Sequence, residues 1–134
     1  MEYNKKVNRC PQPAGILVII GGKEDKGDKP EDKNEDREEI LKAFISLIKK
    51  KEDPRIEIVT SGSEVAEEML EDYRKVFEKL HIKNLGHIHH KIRKEVLDDS
   101  GLVERVNKVD AVFFTGGDQL KLTSLYGGTN FLTQ

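Results

Sequence analysis

Residues 110–119 read Asp-Ala-Val-Phe-Phe-Thr-Gly-Gly-Asp-Gln, a short apolar run that opens directly into paired glycines. Unbroken apolarity between turn formers marks a strand covered on both faces, as in a parallel sheet flanked by helices. Residues 15–22, Gly-Ile-Leu-Val-Ile-Ile-Gly-Gly, show the same pattern. Their spacing predicts a central strand there as well. Between the two, Ile56, Ile58 and Val59 make a short strand ending at Thr60-Ser-Gly-Ser63, and another runs from about Leu85 to His89.

Helical periods fill the gaps. Ile40, Leu41, Phe44, Ile45, Leu47 and Ile48 form one stripe. Asn34 is the expected N-cap, Glu35, Asp36, Glu38 and Glu39 suit the positive helix end, and Lys49, Lys50 and Lys51 suit the negative one, with Pro54 as the stop. Val65, Ala66, Met69, Leu70, Tyr73, Val76, Phe77 and Leu80 give a second, cleaner stripe. A short helix near residues 102–106 follows the capping residues Asp98, Asp99 and Ser100. Four strands alternating with helices imply an α/β, doubly wound, mainly parallel sheet with helices on both faces. The expected organisation is a loose arm over 1–13 and one domain over 14–134.

Composition narrows the function classes. The 134 residues are 36% apolar and 36% charged with a net charge of −2, so no basic surface suggests nucleic acid or anionic lipid. The single cysteine, Cys10, excludes an internal disulfide framework and a four-cysteine zinc site. The apolar run at 16–20 falls far short of the ~20 residues of a membrane helix. A cytoplasmic protein is the expectation.

In a doubly wound sheet, ligands bind beyond the carboxyl ends of the strands. That rule selects the loops at 21–26, 60–63, 87–91 and 115–119. Gly116 and Gly117 permit close backbone approach, while Asp118 and Gln119 add a carboxylate and a two-ended amide at a helix start. A glycine turn with an aspartate cap explains the same residues structurally. The spacing matches neither the dinucleotide fingerprint nor a phosphate loop. Ser61 and Ser63 follow a strand and precede a helix but lack the Gly-x-Ser-x-Gly elbow, so helix capping accounts for them better. His87 and His89, two apart on a strand, share a face and form a metal-binding alternative to histidines that merely end an exposed strand.

Three segments carry a family resemblance. Gly-Gly-Lys-Glu-Asp-Lys at 21–26, Val-Phe-Phe-Thr-Gly-Gly-Asp-Gln-Leu-Lys-Leu at 112–122 and Gly-Gly-Thr at 127–129 resemble the cyanophycinases of peptidase family S51, over about residues 15–132. The related dipeptidase branch usually has asparagine where this chain has Asp118. The resemblance implies a class I glutamine-amidotransferase-like fold, here incomplete. It also implies a serine-type exopeptidase that hydrolyses cyanophycin, a poly-aspartate bearing arginine on each β-carboxylate, to β-Asp-Arg dipeptides. Such enzymes use a Ser-His-acid triad with no metal or organic cofactor and are commonly dimers.

Carried over by position, Gln119 would bind substrate, Gly117 or Asp118 would offer a backbone N–H near the oxyanion, and Glu24, Asp25 and Lys26 would border the cleft. The family's nucleophile lies in an elbow after the next strand, and its histidine and acid follow later. No residue here matches them. The expectation is therefore an N-terminal half, truncated or split and inactive alone, with a homodimer or a complementing C-terminal chain as its partner. The alternative is a small α/β binding module for a β-aspartyl or anionic ligand.

Overall fold

The computed structural model describes residues 14–20 and 32–133. Three four-residue strands form the sheet: β1 (Ile56–Val59), β2 (Leu85–Ile88) and β3 (Ala111–Phe114). All pairings are parallel and the order is β2-β1-β3, with Ile56 opposite Leu85 and Ala111, and Val59 opposite Ile88 and Phe114. Helices α1 (Asp32–Ser46) and α2 (Ala66–Lys79) flank one face. Helices α3 (Arg93–Asp98), α4 (Leu102–Asn107) and α5 (Gln119–Tyr126) flank the other. The α/β class with helices on both faces is as the sequence indicates.

Strand alternation divides the core in two. Ile56, Ile58 and Phe113 point toward α1 and α2, where they bury with Leu41, Ile48, Leu70, Phe77 and Ile82. Val59 and Ile88 point the other way, against Val96, Leu102, Leu125, Tyr126 and Phe131. Glu57 also points that way and is fully buried. Arg105 grips its carboxylate through Nε at 2.9 Å and Nη2 at 2.6 Å, and Arg55 adds a contact at 3.1 Å. A Cβ on Gly86, the β2 residue opposite Glu57, would collide with that carboxylate.

Several local expectations are corrected. Residues 15–20 form no strand: Ile16, Leu17 and Ile19 are 62%, 83% and 85% exposed. Apolar continuity reports a need for burial, not a pairing partner. The N-cap assignment to Asn34 fails because α1 already includes that residue. Helix α1 ends at Ser46, so the three lysines lie beyond it, although Lys51 reaches back to the Ser46 carbonyl at 2.7 Å. Gly101, not an acidic or serine side chain, is the N-cap of α4. Helix α3 was not anticipated from the sequence. The arm over 1–13 and the 21–26 loop, with Glu24, Asp25 and Lys26, lie outside the described residues, as does Gln134.

Candidate functional site

The connection after β1 runs over one face through α2 to β2, whereas the chain leaves β3 over the opposite face into α5. The β1–β3 boundary is thus the point where winding reverses, which is where doubly wound sheets hold their ligands, beyond the carboxyl ends of the strands. Two loops meet there, 60–63 and 115–118. The Asp118 N–H donates to the Gly62 carbonyl at 2.9 Å, and a Cβ on Gly117 would strike that carbonyl. Only glycine permits this approach of one main chain to the other. Gly62 in turn sits on the Leu122 side chain of α5.

Asp118 caps α5: its Oδ1 accepts from the N–H of Leu120 at 2.8 Å and of Lys121 at 3.3 Å. Both its backbone N–H and its side chain are thus engaged within the loop pair. Gln119 begins the helix, and residues 116–119 are exposed to solvent. The structure brings Gly117, Asp118 and Gln119 to one rim. Thr115 anchors the rim from below, its N–H donating to the Val59 carbonyl at 3.0 Å.

The serines do not divide as helix caps. Ser63 Oγ accepts from the Val65 N–H at 3.1 Å within the turn. Ser61 is fully buried and belongs to a polar cluster on the α5 side. Its Oγ accepts from the His90 backbone N–H at 2.9 Å and lies 2.6 Å from the Tyr126 hydroxyl. That hydroxyl lies 2.8 Å from His90 Nδ1, and His90 Nε2 lies 3.2 Å from Asp99 Oδ2. Ser61, His90 and Asp99 have the composition of a hydrolytic triad, but the tyrosine hydroxyl separates serine from histidine and the serine never meets solvent. General-base activation needs direct contact with a reachable nucleophile.

The remaining histidines are not an exposed strand end. His87 and His89 share the opposite face and are half-buried, with Nε2 of His87 at 2.7 Å and Nδ1 of His89 at 3.0 Å from Thr60 Oγ1. Burial pushes the His87 imidazole below its ordinary range; His89, Arg105 and Arg74 add to this, and Glu67 opposes it. Among the described residues no group of three or more His, Cys, Asp or Glu is placed to hold a metal ion. Burial raises the Tyr126 phenol above its usual value; the Ser61 hydrogen bond opposes this and the Asp99 charge adds to it.

Sequence reasoning missed Tyr126, Asp99, Glu57 and Arg105. An unusual charge between Ile56 and Ile58 was the available sign for Glu57, but alternation alone reads it as a solvent-facing position. No local pattern links Ser61 to a tyrosine 65 positions later.

Among the described residues no helix is long and apolar enough to cross a membrane. The family model of Peptidase family S51 matches residues 27–133. No curated protein matches the chain.

Proposed function

The chain belongs to peptidase family S51, and from that premise we propose that it takes cyanophycin-type β-aspartyl-arginine peptides at the rim formed by residues 60–63 and 116–119. The observation that carries this reading is the joint between Gly62 and the Gly117–Asp118 main chain, with exposed Gln119 beside it at the winding reversal. Gln119 supplies a donor and an acceptor on one side chain, which suits an amide substrate. Gly117 is the backbone candidate for the developing oxyanion, since the Asp118 N–H is already taken by Gly62.

Serine-type cleavage needs a nucleophile that substrate can reach. Among the described residues no exposed serine is hydrogen-bonded to a histidine side chain, and Ser61 is sealed in the core. The reading therefore assigns this region to substrate holding, with the nucleophile carried outside the described residues or by a complementing chain. The alternative, a binding module that holds β-Asp-Arg without cleaving it, rests on the same observation.

Isothermal titration with β-Asp-Arg tests the site. Gln119→Ala is expected to weaken binding about tenfold, equivalent to about 1.4 kcal/mol and within the range of one hydrogen bond. The thermal midpoint should stay unchanged. Equal affinity of the two proteins would remove Gln119 from the site. Dipeptide release from cyanophycin, measured alone and with a chain carrying a serine elbow, separates peptidase from binding module.

A further inference from the structure

The buried cluster beneath the rim has a defined proton order. With His90 neutral, one arrangement gives every proton an acceptor: Ser61 donates to Tyr126, Tyr126 donates to His90 Nδ1, and His90 Nε2–H donates to Asp99. The opposite tautomer would face an imidazole lone pair toward the Asp99 carboxylate. Among the described residues no buried side-chain nitrogen or oxygen lacks a partner. The cluster is therefore a closed directional chain, from a core serine to a partly exposed carboxylate (Asp99 side chain 40% exposed).

Adding a proton to His90 reverses the chain. Nδ1 must then donate to the Tyr126 oxygen, so the Tyr126 proton turns to Ser61 Oγ, which already accepts from the His90 main chain. The Ser61 proton loses its acceptor within the cluster. Ser61 is covalently next to Gly62, whose carbonyl receives the Asp118 N–H and lies against Gly117. The hydrogen bonds of Ser61 are thus rearranged one residue away from the main chain that sets the rim.

We propose that His90 is a positioning residue for the rim, its ionisation being passed through Tyr126 and Ser61 to Gly62 and so to Gly117 and Asp118. The significance of this device rests on reading that rim as the ligand site; its test needs no ligand. The charged and titratable groups around His90 are Asp99 between α3 and α4, Glu95 on α3 and Tyr126 on α5, while Arg93 of α3 is turned to the Ser124 carbonyl. Lys91 adjoins it in sequence, and His87 and His89 bond Thr60 on the opposite face. Glu95 accepts from the Lys91 and Ile92 N–H groups, which hold its carboxyl below its ordinary range, with His90 and Lys91 adding to the effect. It therefore remains charged through the histidine range.

The experiment is a pH titration of the full chain by 1H–15N spectroscopy, following the Gly62, Gly117 and Asp118 amides together with all four histidine rings. The three amides are expected to shift with the midpoint of the His90 ring. In Tyr126→Phe, which deletes the relaying hydroxyl, the His90 ring still titrates and the Gly117 and Asp118 amides lose that dependence. Rim amides that stay flat in the unaltered chain would overturn the proposal. So would amides that follow His87 or His89, or amides that keep following His90 in Tyr126→Phe. Should Tyr126→Phe not fold, Ser61→Ala carries the same expectation, and the titration of the unaltered chain decides without either variant. A pH-dependent rim with no β-Asp-Arg affinity would uphold the device while rejecting the functional reading.

Discussion

The two faces of the sheet are built by different means. Toward α1 and α2 the strand centres pack an aromatic and aliphatic cluster: Phe113 sits among the rings of Tyr73, Phe44 and Phe77, with centroids 4.9, 5.4 and 5.7 Å away. Toward α3, α4 and α5 the same strands bury Glu57 and, just past their ends, Ser61 and His90. Dispersion and area burial hold the first face and tolerate exchange of shapes. Partner geometry holds the second, where one missing atom leaves a polar group without a bond. The rim at residues 60–63 and 115–119 adjoins the second face through Ser61 and Leu122. The difference teaches that stability and site geometry are sourced from opposite sides of three short strands.

The strongest way to break this comparison is on the apolar side. Phe113→Ala removes the ring that the other three surround and should cost about 3–5 kcal/mol, read as a fall in the urea midpoint at constant slope. A loss below about 1 kcal/mol would deny that face its leading role. The contrast between faces is sharper in a pair of same-size changes. Glu57→Gln keeps the shape but leaves the Arg55 and Arg105 guanidinium groups without their carboxylate, at about 1–3 kcal/mol. Ile58→Leu, equally buried on the other side, should cost less than about 1.5 kcal/mol. Finding the isoleucine change the more damaging would reverse the account of the two faces.

A smaller effect is expected with pH. Burial disfavours the charged His87 imidazole in the fold, so the unfolded chain takes up a proton first as pH falls. More protons on the unfolded state mean that stability declines as pH drops through the ordinary histidine value of about 6.5 toward the lower folded value. His87→Gln should flatten that decline when urea midpoints are compared above and below this range. An unchanged slope would place the pH dependence elsewhere. Smallest of all, Lys75→Ala should leave the midpoint within about 0.5 kcal/mol, because the Glu71–Lys75 pair on α2 is exposed and screened.

The same division explains what the sequence disclosed. Periodicity located α2, β1, β2 and β3 because apolar burial imprints a local pattern, as at Met69, Leu70, Tyr73, Val76 and Phe77. The glycine pair at 116–117 and the caps at 118 were legible because backbone approach and helix starts also have local signatures. Residues 15–20 carried the strongest apolar run and yet form no strand, since apolarity records a need for burial and not a pairing partner. The Asp99–His90–Tyr126–Ser61 chain was illegible for the related reason that its members come from three separate connections. It exists only once β1, β2 and α5 are packed together.

The most direct test of the functional account is a 1H–15N titration of the chain with β-Asp-Arg dipeptide, following every assigned amide. The account predicts saturable shifts confined mainly to Gly62, Gly116, Gly117, Asp118 and Gln119, with the midpoint of the titration moved about tenfold higher in Gln119→Ala. Shifts centred on another face, or no shifts at millimolar dipeptide, would contradict the placement of the substrate site at this rim.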